Sequence, residues 1–196
     1  MRRIPAAALA VSLVLAALAV AGCSTWFESP NKPANDAISL ANTHLKNAAV
    51  AGSVVASESA TLGSIPFTKA GAASALALTA RIRTSLATQT AELTAAKDAM
   101  DSIAAMKVSV DLKTYASLES TAIATSAKAV DLQTRLYVEK DKLYTALQTG
   151  TTTSVDTQKI IDGIDSLQLD LTAVNELAVQ AARTASDFFA SKKLGG

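Results

Sequence analysis

Apolar residues recur along this chain at alternating steps of three and four, the spacing that gathers one face of an α-helix. The pattern is cleanest near the C-terminus, where Ile160, Ile164, Leu167, Leu171, Val174, Ala178, Ala181, Ala185 and Phe188 are all apolar. A second row runs through Ala75, Ile82, Leu86, Leu93, Ala96, Met100 and Ile103, with Thr79 and Gln89 as its polar members. A third runs from Tyr115 through Leu118, Ala122, Ala129, Leu132, Leu136 and Leu143 to Ala146, with Thr125 and Glu139 interrupting. The first row is the weakest: Ile38, Ala41, Leu45, Ala48, Val55 and Leu62, broken by Gly52 and Ser59. Gly52 and the Val54-Val55 pair both lower helix propensity, so fraying or a kink is expected there.

The interruptions between rows carry turn chemistry. Gly63-Ser64-Ile65-Pro66-Phe67 separates the first two helices, and Thr68 is the expected N-cap of the second. Lys107-Val108-Ser109 separates the second and third. Gly150 is placed to end the third helix, and Thr153 or Ser154 to cap the fourth. Connections this short force consecutive helices to run antiparallel. The fold class predicted for residues 34–196 is therefore all-α, an elongated antiparallel four-helix bundle of up-down-up-down topology. Helices of almost 40 residues would make a rod about 58 Å long at 1.5 Å per residue.

The first 33 residues follow a different pattern. Arg2 and Arg3 precede a stretch from Ile4 to Val20 that holds no charge. A positive start, an apolar middle and small residues at the end make a secretory signal peptide. The apolar run is long enough that an uncleaved membrane helix is the competing reading, since about 20 such residues span a bilayer. Its end favours cleavage: Val20-Ala21-Gly22-Cys23 resembles the lipobox of bacterial lipoproteins. That resemblance implies cleavage after Gly22, diacylglycerol on the Cys23 thiol and, in many cases, acylation of the new amino group. A chance cysteine is the bland alternative, and it is disfavoured because Cys23 is the only cysteine in the chain. Residues 1–22 then form the signal peptide and 23–33 a lipidated N-terminus and linker, interrupted by Pro30 and Pro33. Trp26 and Phe27 in this linker are either headgroup-level anchors or ordinary linker aromatics. By resemblance to proteobacterial lipoproteins, Ser24 rather than Asp after the cysteine implies transit to the outer membrane. The expected location is the cell membrane or the outer membrane, outside the cytoplasm.

Composition narrows the function classes. Processing would leave 174 residues with 16 Lys and Arg against 17 Asp and Glu. A nearly neutral chain without a basic run is a poor nucleic-acid binder, because phosphate neutralisation supplies most of that affinity. No thiol would remain for a disulfide, so stability must come from packing. Alanine is abundant and aromatics are few, which predicts closely spaced helices and a thin aliphatic core. Abundant threonine lowers helix propensity slightly.

Candidate chemistry is sparse. His44 is the only histidine and Ala41 stands three residues before it, so the paired Glu-x-x-His motifs of a helical di-iron site are absent. His44 is expected to be a solvated side chain. No Gly-x-Ser-x-Gly elbow and no phosphate-cradling glycine loop occur. Asp98 with Asp101, and Asp162 with Asp165, place carboxylates one turn apart, where a solvated acidic face is the expectation. Asp131 and Arg135 are spaced for an i, i+4 ion pair. Among the polar seam residues, Glu139 is expected at the seam edge beside Lys142, and Gln89 is expected to set register.

No catalytic residue, metal or cofactor is expected. The leading expectation is a lipid-anchored envelope protein whose bundle serves as a structural, spacer or protein-interaction module. It would meet the membrane through the Cys23 anchor and contact an envelope protein partner. The alternative is a carrier that takes a lipid or other apolar ligand into the bundle. A cavity of several hundred cubic ångströms lined by the Leu and Ile seam would favour that alternative. A hydrolase is the least favoured reading.

Overall fold

The computed structural model describes residues 31–150 and 153–194, and the expectations for residues 1–22, for Cys23 and for Trp26 and Phe27 lie outside them. Four helices account for nearly all of the described chain: α1 (Lys32–Ser64), α2 (Lys69–Ser102), α3 (Val110–Thr149) and α4 (Ser154–Ser191). A single 3-10 turn, Ile103–Ala105, prolongs α2. The helices pack in chain order, α1 on α2, α2 on α3 and α3 on α4, and no non-consecutive pair lies backbone to backbone over its length. This is the all-α antiparallel bundle expected from the periodicity. At 1.5 Å per residue, α3 with its 40 residues is about 60 Å long.

Local chemistry sets the ends. Thr68 accepts a hydrogen bond from the Gly71 N–H, and Ser109 accepts one from Leu112. Thr153 accepts from the Asp156 N–H while its own hydroxyl donates to the Asp156 carboxylate, a reciprocal cap. Gly150 closes α3 in the left-handed region at φ 68°, where a residue without Cβ is at no disadvantage. Pro33 sits in the first turn of α1, as its missing N–H allows. Many threonines satisfy themselves within their helix: the hydroxyls of Thr84, Thr88, Thr90 and Thr94 each donate to the carbonyl four residues back.

One expectation is corrected. α1 does not fray or break at Gly52 but runs as one helix through it. Gly52 is buried against α2, and a Cβ there would stand 3.1 Å from the Gln89 Nε2. The missing side chain makes room for Gln89, and the tertiary contact outweighs the roughly 1 kcal/mol propensity cost of an interior glycine.

The buried residues form two adjoining clusters. The larger joins α1, α2 and α3 around Leu45, Ile82, Leu86, Leu93, Ile123 and Tyr137, and the smaller joins α3 and α4 around Leu132, Leu136, Leu167 and Leu171. Ala34, Ala41 and Ala48 are fully buried one heptad apart on α1, where small side chains let α2 come close. The second-helix row is buried at every position from Ala75 to Ile103, its polar members Thr79 and Gln89 included.

Candidate functional site

Helix α3 lies between two neighbours and so buries two faces. One face, through Ala129, Leu132, Leu136 and Leu143, turns to α4 as its apolar row predicts. The other, through Leu112, Ala116, Ile123, Val130 and Tyr137, turns to α1 and α2. Interleaved on that second face are Glu119, Ser126 and Gln133, one heptad apart and all buried. The one-row reading missed them because they are polar, yet their seven-residue spacing inside an apolar row was a legible signal.

Glu119 is the most unusual member of this row. It is 2 % exposed, and one of its oxygens, Oε2, has no hydrogen-bond partner. Burial pushes its pKa up to about 7, against a smaller opposing effect of a hydrogen bond from the Tyr115 hydroxyl one turn back. The same burial, with the neighbouring Glu119 charge, raises the Tyr115 phenol far above its ordinary value. Next to it, the Ser120 hydroxyl donates to Asp101 on α2, and Lys97 reaches the same carboxylate. Those two contacts hold the Asp101 carboxyl below the usual range.

Polar contacts elsewhere tie helices together. Thr79 and Arg83 on α2 both donate to Asp141 on α3, the arginine at 2.9 Å. Ser59 on α1 and Tyr137 on α3 share a hydrogen bond between hydroxyls. Arg81 reaches Glu58 across α1 and α2 at 3.2 Å. These groups pin the axial register of neighbouring helices, since a shift of one turn would separate them by about 5.4 Å.

The residues singled out by sequence are scattered. His44 is not a free solvated side chain: its Nδ1 lies 2.7 Å from Glu92 Oε2, which also accepts from Asn47. The contact spans α1 and α2 and holds the Glu92 carboxyl below its ordinary pKa. Asp101 turns to Lys97 and Ser120 rather than to Asp98, and Asp162 accepts from Gln158. The i, i+4 pair Asp131 and Arg135 does not close into an ion pair. Glu139 does take Lys142, at 2.6 Å. Gln89, expected to set register, is buried at 5 % exposure beside Gly52, with Oε1 unpartnered. Among the described residues no three His, Cys, Asp or Glu side chains converge as a metal site. No described helix is long and apolar enough to cross a membrane.

A groove of about 470 Å³ runs on the outer surface between α3 and α4. Leu118, Val174 and Leu177 share its lining with Thr121, Lys128 and Gln180. It is open to solvent and mixed in polarity, and so differs from the enclosed Leu and Ile cavity an apolar-ligand carrier needs.

The two ends of the rod differ. One end gathers the start of α1, the α2–α3 connection, the start of α3 and the turn after α4. Lys192 reaches Asp111 at 3.2 Å, Lys113 donates to the Ala104 carbonyl at 2.9 Å, and the Tyr115 and Phe189 rings lie 4.9 Å apart. Lys32 pairs with Asp36. Lys107, Lys113 and Lys193 have no carboxylate partner among the described residues. Val110, at 79 % exposure, is the most exposed large apolar residue described. At the other end Phe67 is half exposed against Tyr144, and Asp156 and Lys159 face each other at 4.0 Å.

Comparison of the chain with protein-family models, with curated proteins and with solved structures gives no match.

Proposed function

We propose that the chain is a lipid-anchored envelope protein whose helical bundle acts through surface contacts, as a spacer or protein-interaction module, without catalysis. The observation that carries this reading is Cys23, the single cysteine of the chain, directly after Val20-Ala21-Gly22 at the end of an uncharged apolar run. Two or three acyl chains on one residue hold a protein on a bilayer durably, whereas one chain alone binds only marginally. The bundle supports the second half of the reading. Several titratable and hydroxyl groups at its helix interfaces bond one another: His44 with Glu92, Asp101 with Ser120, Asp141 with Thr79 and Arg83. Such contacts fix the axial register of neighbouring helices. A rod about 60 Å long, tethered at one end, suits spacing or presentation.

The test is mass spectrometry of the N-terminal peptide from native membranes, paired with a Cys23→Ala variant. The expected mature N-terminus is acylated Cys23, and the variant is expected to lose that modification. An unprocessed, unacylated N-terminus would overturn the anchor and the envelope location with it.

A further inference from the structure

Glu119 lies on the face of α3 that the last turns of α4 cover. Tyr115 and Glu119 stand one turn apart and so share a face, and the Tyr115 hydroxyl donates to the Glu119 carboxyl. On that face the Phe189 ring of α4 lies 4.9 Å from the Tyr115 ring. The Lys192–Asp111 pair keeps the same register, which brings the fully buried Ala185 level with Glu119. The carboxyl group is thus sealed from water, with Oε2 unpartnered, beneath the end of a helix whose main packing partner is α3.

That end is held by little apolar surface. Ala182 and Ala185 are buried, Phe188 and Phe189 only in part, and the Lys192–Asp111 pair stands near the surface. The earlier turns of α4 bury the larger Ile164, Leu167, Leu171 and Val174. Nor does a cation offset a charge on Glu119 among the described residues. On α1, Lys32 and Asp36 pair with each other. On α2, Lys97 binds Asp101, which also takes the Ser120 hydroxyl, and Asp98 is exposed. Lys113 donates to the Ala104 carbonyl, and Lys107, Arg183, Asp187 and Lys193 are exposed.

We infer that Glu119 is a proton-controlled latch: protonated, it lets residues 182–191 of α4 lie closed on α3, and loss of its proton as pH rises releases that segment. In the opened form the carboxyl meets water and titrates at its ordinary 4.5, against about 7 when enclosed. Below 4.5 both forms hold the proton, and opening does not respond to pH. Between 4.5 and 7 only the closed form holds it, so opening grows as pH rises, and above 7 the gain levels off. From pH 5.5 to 8 the open-to-closed ratio rises about 25-fold. The latch is independent of the Cys23 anchor, so its failure leaves the proposed function standing.

Amide hydrogen exchange of the purified protein reads the opening once each rate is divided by the chemical exchange rate at that pH. Protection across residues 182–191 is expected to fall about 25-fold from pH 5.5 to 8, with or without low urea. Residues 160–174 are expected to stay better protected throughout. Glu119→Gln, with its helix content checked by circular dichroism, is expected to flatten the pH dependence. Unchanging protection in the parent, or a pH dependence that survives in Glu119→Gln, would overturn the latch. So would residues 182–191 exchanging only together with 160–174, because ionisation then loosens the whole bundle rather than one end. The parent profile decides by itself should the variant not fold.

Discussion

Replacing Glu119 by glutamine isolates the most perturbed carboxyl group in the bundle. In the native protein the group is 2 % exposed, and burial lifts its pKa from 4.5 to about 7. An unfolded chain releases that proton near 4.5, so the folded state binds it more tightly. Below about pH 4.5 both states hold the proton and the side chain is a neutral, buried acid. Between 4.5 and 7 only the folded state holds it, and stability declines as pH rises. Above about 7 the folded protein carries a buried carboxylate with one unpartnered oxygen. A tenfold change in proton affinity corresponds to about 1.4 kcal/mol, so the full loss is about 3 kcal/mol. Glutamine keeps the shape and removes the charge, although its amide group also needs a partner, at about 1–3 kcal/mol if it finds none. The expected result in urea unfolding followed by circular dichroism is a variant whose stability lacks the native decline between pH 4.5 and 7. At about pH 8 it is at least as stable as the parent, by up to about 3 kcal/mol. Parallel stability curves for parent and variant across that window would refute the reasoning, as would a parent that gains stability there through this group.

Other changes test the packing. Leu167→Ala and Leu132→Ala remove buried seam side chains between α3 and α4 and are each expected to cost about 2–5 kcal/mol in thermal or urea melts. Gly71→Ala would set a Cβ 2.3 Å from the Pro66 carbonyl oxygen, and forcing the α1–α2 turn apart is expected to cost about 1–3 kcal/mol. Asp141→Ala removes the carboxylate that accepts from buried Thr79 and from Arg83, leaving Thr79 the Leu76 carbonyl, with an expected loss of about 1–3 kcal/mol. A double-mutant cycle with Thr79→Val is expected to show a coupling of about 0.5–3 kcal/mol between the two positions, because they share a hydrogen bond.

Periodicity and turn chemistry were legible without coordinates because both are local. A 3-4 spacing defines a helix face by backbone geometry alone, and Thr68, Gly150 and Thr153 act on N–H groups or dihedral angles a few residues away. The same locality makes the lysine-bearing connection after Ile103 readable as a break, and short breaks between long helices dictate antiparallel neighbours. The lipidation signal proposed at Gly22 and Cys23 is local in the same sense, a motif of adjacent residues.

Tertiary structure decided whatever depends on which helix lies opposite. Gly52 marked a weak point by propensity, yet the Gln89 side chain filling the space beside it turned it into a packing site in an unbroken helix. His44 read as solvated because nothing near it in sequence binds it, and its partner Glu92 lies 48 residues away. Glu119, Ser126 and Gln133 stood outside the apolar rows, and the packed helices bury all three. A residue's own helix fixes the direction in which its side chain points, but only a neighbouring helix determines whether water or protein is waiting there, and that difference sets the charge Glu119 can carry.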